Sequence, residues 1–179
     1  MTVLLMIWAT VAVRLLPHPA NFAPIGAMAL FCGTYLSGKK APAVPLLALL
    51  VSDVFLGFHS TMIWVYGSFF MGVLMGKRLK NRVSALPVAG AAILFSVQFF
   101  LITNFGVWAS SGMYPKTMMG LAQSYVMGIP FFRNSLAGDL FYSAVLFGGY
   151  AVWGRLNSVN SRSSAVRMYF FSRFLKIRT

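Results

Sequence analysis

Long apolar runs, each closed by a short polar or basic break, divide the chain. The first, Met1–Leu16, ends at Pro17, and a polar, proline-rich stretch PHPANFAP follows at 17–24. It has no basic start and no Ala-x-Ala site, so it reads as a retained span rather than a cleaved leader. Ile25–Ser37 comes next, short for a crossing that usually takes about 20 apolar residues, and Gly38-Lys39-Lys40 closes it. Such a helix is either thinly covered or begins inside the protein within 17–24. Pro42–Phe58 and Thr61–Gly76 predict the third and fourth spans, separated by His59-Ser60 and stopped by KRLKNR at 77–82. Ala85–Ala109 is the longest apolar run. Met118–Ile129, bounded by Pro115 and Pro130, is weakly amphipathic and short, whereas Ser135–Trp153 predicts a clear final span.

Composition then narrows the class. Of the 179 residues, 59% are hydrophobic and 9% charged, against about 25% charged in soluble domains. A water-facing surface cannot be assembled from these residues, which excludes a soluble enzyme. The formal charge of +13 comes from 15 Lys and Arg against two acids, Asp53 and Asp139. Because these cations sit between or after apolar runs, they predict topology signals and lipid-headgroup contacts and no nucleic-acid partner. Twelve of the 15 fall at 39–40, 77–82 and 155–178, leaving Arg14, Lys116 and Arg133 on the other side. The positive-inside rule therefore puts both termini in the cytoplasm. That requires six crossings, with 110–134 kept outside as a loop carrying an interfacial or re-entrant helix. The predicted architecture is an all-α, six-helix transmembrane bundle over 1–153, followed by a basic cytoplasmic tail at 154–179 suited to anionic headgroups. A bacterial inner (cytoplasmic) membrane is the expected location.

Under this topology the polar residues that are hard to place against lipid gather at the outer side. They are Arg14, His18, Asn21, Asp53, His59, Asn104, Trp108, Tyr114, Lys116, Arg133, Asn134 and Asp139. An ionisable group at membrane depth costs about 2.5–3.5 kcal/mol on insertion scales, so such groups pair or line a wet cavity. The expectation is one outward-opening pocket in which Asn21, Asp53, Asn104, Arg133 and Asp139 converge, with His59, Trp108 and Asn134 as further ligand contacts. The two carboxylates either orient a ligand or form internal salt bridges with Arg14 or Arg133. His18 reads as a solvated loop residue or a ligand group, and His59 as a cap of its helix end or a ligand group. Cys32 reads as an inert small hydrophobe, with a thiolate ligand role as the minority alternative. No Cys/His set has metal-ligand spacing, and no cofactor is expected. The pairs Ala23/Ala27, Ala29/Gly33, Gly72/Gly76 and Ala85/Ala89 predict close helix packing, or else a docking face.

The stretches RLLPHPANFAPIGAMALFCGTYLS, PLLALLVSDVFLGFH, VYGSF, LITNFGVW, YPKT and IPFFRNSLAGDLFYSAVLFG resemble an uncharacterised family of small bacterial membrane proteins described as candidate transport proteins. The likeness runs from Arg14 to Gly148, with Cys32 where that pattern has a glycine. More distantly, the family is similar to the substrate-binding S components of energy-coupling factor vitamin transporters. The resemblance implies uptake of a small organic, vitamin- or cofactor-like solute. It also implies a transmembrane coupling subunit with ATPases docking at the small-residue face of 23–27. Without a Walker-type loop, any ATP hydrolysis falls to a partner and no enzyme activity is expected of this chain. The competing expectation is a structural accessory subunit of a larger membrane complex. An intramembrane lipid-modifying enzyme is disfavoured because no catalytic set is present.

Overall fold

The computed structural model describes the backbone of residues 2–176 and the side chains of 4–158. Among these residues there are six α-helices and no strands: α1 (Thr2–Leu15), α2 (Ile25–Tyr35), α3 (Lys40–Leu56), α4 (Met62–Leu79), α5 (Ala85–Ser110) and α6 (Met118–Lys176). The chain divides into two compact units, Met1–Leu146 and Phe147–Thr179. In the second unit the backbone continues as helix. The basic tail predicted to lie on lipid falls mostly outside the residues whose side chains are described.

Within the first unit the short turns make successive helices alternate in direction. Arg14 near the end of α1 meets Asp53 near the end of α3 and, through it, Tyr66 near the start of α4. Trp64 near the start of α4 also packs on Phe105 near the end of α5, ring centres 5.3 Å apart, so the 16–24, 57–61 and 111–117 turns share one end. Thr34 at the far end of α2 bonds the Gly76 carbonyl at the far end of α4 at 2.9 Å, so the basic turns lie at the other end.

The helices differ sharply in what they bury. In α2, every residue from Ile25 to Thr34 is buried, enclosed by α3, α4 and α5. At 1.5 Å per residue its 11 residues reach about 16 Å, half of a bilayer's hydrocarbon thickness. The predicted second crossing is therefore a buried half-length helix that starts inside the protein. Its contact with α4 is made backbone to backbone: a Cβ on Gly33 would lie 2.1 Å from the Val73 oxygen, and one on Gly76 would lie 2.1 Å from the Leu30 oxygen. Only glycine permits that approach. Ala29/Gly33 and Gly72/Gly76 are thus consumed inside the chain. Ala27 is also fully buried, whereas Ala23, at the start of the same predicted small-residue face, is half-buried.

By contrast α5 is apolar almost all round yet little covered. Only 22% of its most apolar stretch is buried, and Leu86, Ile93, Leu94 and Leu101 stand exposed. Two helices, α5 and the Met118–Ser158 part of α6, are long and apolar enough to cross a membrane. α1 to α3 have fewer than 18 residues, and α4 ends in Lys77 and Arg78. The predicted separate helix at Met118–Ile129 is not separate. The helix runs on through Pro130 into the final span, because proline removes one donor and restrains φ but is tolerated where neighbouring turns hold the helix.

Candidate functional site

Both acids of the chain are buried, Asp53 at 2% and Asp139 at 5% exposure, and they are satisfied in different ways. Asp53 sits one turn before the end of α3, where Gly57 closes the helix with an N–H to the Asp53 carbonyl at 2.8 Å. One carboxylate oxygen, Oδ1, takes the Arg14 guanidinium at 2.9 Å. The other, Oδ2, accepts the Tyr66 hydroxyl at 2.9 Å. The same Arg14 Nη1 also donates to Ser52 Oγ, which is itself anchored on the Ala48 and Leu49 carbonyls at 2.8 and 2.9 Å. Three helices thus meet at a neutral pair with charge-assisted bonds, the geometry in which a buried ion pair offsets its desolvation.

Asp139 lies on α6 against the N-terminal turn of α2. Its Oδ2 receives the Ser96 hydroxyl of α5 at 2.6 Å. No cation among the described residues comes within ion-pair distance of it. Gly26 makes the position possible, since a Cβ there would lie 2.0 Å from Asp139 Oδ1 and 2.4 Å from the Phe95 ring.

Between these two acids opens a cavity of about 120 Å³. Its polar wall is Arg14, Asn21, Ser135 and Asp139, and its aromatic wall is Phe69, Phe95 and Phe99. The three rings form one cluster with centroids 5.2–6.0 Å apart. Asn21 reaches this place on a backbone at φ 65°, the left-handed region that asparagine tolerates better than most residues. Its neighbour in the same loop, Ala20, is tied to α6 by the Asn134 amide at 3.0 Å.

The expected five-residue convergence is therefore met only in part. Asn21 and Asp139 line the cavity, and Asp53 stands behind Arg14, which does the lining. Asn104 is turned back onto its own helix, donating to the Phe100 carbonyl at 2.8 Å, and packs against Gly128. Arg133 is exposed and lies outside the cavity lining, so it pairs with neither acid. The reason is rotational: on α6 it is turned by about a third of a helical turn from the Asp139 face. His59 is exposed, with Nδ1 2.7 Å from Thr61 Oγ1, and His18 turns to the Leu16 carbonyl at 2.6 Å. Trp108 donates to the Pro115 carbonyl at 2.9 Å, and Lys116 lies 5.6 Å from its ring centre. Trp108 and Lys116 thus brace the 111–117 loop. Asn134 acts on the 17–24 loop and not on the cavity.

Ser96, Ser135, Tyr66 and Gly26 are site residues that the sequence pattern does not single out. Lone hydroxyls and glycines are ordinary in apolar helices and carry no signal by themselves. Only their registration against the two acids marks them. Among the described residues no group of three or more His, Cys, Asp or Glu could hold a metal ion, and Cys32 is buried and free.

The sequence model of a family described as "Family of unknown function (DUF6580)" matches residues 1–161, and the chain belongs to that family. That description assigns it no activity. No curated protein and no solved structure matches the chain.

Proposed function

We propose that the protein, a member of a family whose description names no function, is an integral membrane transport component that takes a small polar solute into the cavity between Arg14 and Asp139. The observation that carries this reading is a partly open cavity with polar and aromatic walls, holding a carboxyl group that lacks a counter-cation among the described residues, inside a bundle whose outside is apolar. Leu4, Leu5 and Trp8 on α1, Val54 and Phe55 on α3, Ile63 and Phe70 on α4, and Leu94 and Leu101 on α5 all face outward. Such a surface fits lipid and exceeds the isolated apolar patches of soluble proteins. Buried charge at membrane depth is costly and is retained chiefly where a solute or ion uses it.

The division of basic residues supports the finer arrangement: six segments traverse the bacterial cytoplasmic membrane, both termini face the cytoplasm, and the cavity end faces outward. In that arrangement α2 contributes a half-length crossing completed by the 17–24 loop. The volume argues for a compact solute. Pockets for drug-sized ligands run to about 300–1,000 Å³, above the 120 Å³ found here. Passage inward draws on a partner for energy, but the partner binds elsewhere than at Ala27. The accessory-subunit alternative loses ground because most of the small-residue pairs it relied on are spent within the bundle. Of these pairs, Ala85/Ala89 is the one that stays at least partly exposed throughout.

Mass spectrometry of small molecules released from the full chain, purified from its membrane, tests the reading. A stoichiometric polar solute is expected with wild type and is expected to be missing from Gly26→Ala, whose methyl group would displace the Asp139 carboxyl and the Phe95 ring that line the cavity. Stoichiometric protein subunits with no solute would overturn it in favour of the structural role.

A further inference from the structure

The charges around the cavity do not balance, and the imbalance has a sign. Arg14 and Asp53 neutralise each other across 2.9 Å. Asp139 has only the Ser96 hydroxyl, and none of the remaining cavity-lining residues carries positive charge. An ionised carboxylate in such a place needs a counter-charge that the described residues withhold. Facing it is a cluster of three phenyl rings, Phe69, Phe95 and Phe99, whose faces carry the negative end of the ring quadrupole and attract cations. A carboxylate beside several aromatic rings is the chemistry that selects an ammonium group over a neutral or anionic one. The space, about 120 Å³, amounts to roughly eight to twelve water-sized volumes of about 10–15 Å³.

We propose that the solute of this site is a small organic cation, a primary or methylated amine, whose ammonium group pairs with Asp139 and rests against Phe69, Phe95 and Phe99. This rests on the solute-binding reading above and narrows it to a ligand class. Ser96 holds Asp139 Oδ2 toward α5, and Gly26 gives Oδ1 the room it occupies beside the cavity. The Arg14 and Asp53 pair supplies a neutral wall with guanidinium donors for any hydroxyl the amine carries.

Saturation-transfer NMR on the purified full chain, with ethylammonium, tetramethylammonium, glycine, acetamide and acetate as separate probes, decides the matter. Either or both of the ammonium probes are expected to bind, with acetamide and acetate at least tenfold weaker. Asp139→Asn, which keeps size and the Ser96 contact, is expected to abolish ammonium binding. Phe99→Leu is expected to weaken it about threefold to tenfold while the melting temperature of the chain stays near wild type. Should Asp139→Asn fail to fold, Phe99→Leu decides by itself: ammonium binding that the lost ring leaves unchanged overturns the proposal. Acetate, acetamide or glycine binding as well as or better than both amines overturns the cation proposal and leaves the solute site standing. So does ammonium binding that Asp139→Asn leaves unchanged. Binding of none of the five probes by folded wild type overturns the cation proposal and removes the support for a solute site with it.

Discussion

The two buried acids differ in what satisfies them. Around Asp53 every strong group has a partner: a cation, a phenol and a serine locked on its own helix. Around Asp139 there is one hydroxyl, a glycine that clears space, and a cavity. The first arrangement holds α1, α3 and α4 together. The second leaves electrostatic work undone, and undone work is what a ligand can complete. Burial alone does not separate structural from functional charge; the inventory of partners does.

The largest effect is expected on removing the cation from the first acid. Arg14→Met strands Asp53 in the interior and should cost about 3–5 kcal/mol, read as a fall in thermal stability of the detergent-purified protein. Adding Asp53→Asn to that variant should recover much of the loss. If the single change leaves stability untouched, the contrast between the acids collapses.

Gly26→Ala tests the second region by packing instead of charge. Its methyl group meets the Asp139 carboxyl and the Phe95 ring, and overpacking of this kind costs about 1–3 kcal/mol. The same melting experiment, paired with solute release, should show modest destabilisation and complete loss of solute.

Tyr66→Phe removes one of the two side-chain bonds to Asp53 and leaves the ion pair intact. A hydrogen bond to a charged group contributes about 1.5–3 kcal/mol, and the lower end is expected because Arg14 remains. Equilibrium or thermal unfolding of the single variant measures it.

Asp139→Asn should lie within about 1 kcal/mol of wild type in stability, since a neutral amide is cheaper to bury than an unpaired carboxylate, while solute binding is lost. The opposite result, a collapse in stability with binding retained by survivors, would make Asp139 a structural twin of Asp53.

The smallest effect belongs to Arg133→Ala. Exposed and outside the cavity, it should shift stability by no more than about 0.5 kcal/mol and leave binding unchanged, which a direct titration of the released solute would show.

The helical class and most helix limits were legible along the chain, because apolar runs and their proline, glycine and basic breaks are local properties of the sequence. The prediction of Ala85–Ala109 differs from α5 by one residue, and Ile25–Ser37 from α2 by two at its end. Composition by itself also predicted an apolar exterior, and the two helices long and apolar enough to cross a membrane agree with that expectation. Other features depended on helix rotation and separation, which no local pattern contains. The burial of α2 follows from the backbone contact of Gly33 and Gly76, two positions 43 residues apart in the chain. The continuity of α6 through Pro130 depends on packing that outweighs one missing donor. The assignment of Arg14 to Asp53, and of no described cation to Asp139, could not be read from residue types alone. The sequence holds Arg14 and Arg133 as equal candidates, and only the rotation that points Arg133 outward decides between them. In a membrane-like interior charge pairing is a question of a few ångströms, and those ångströms are set where helices from distant parts of the chain come to rest against one another.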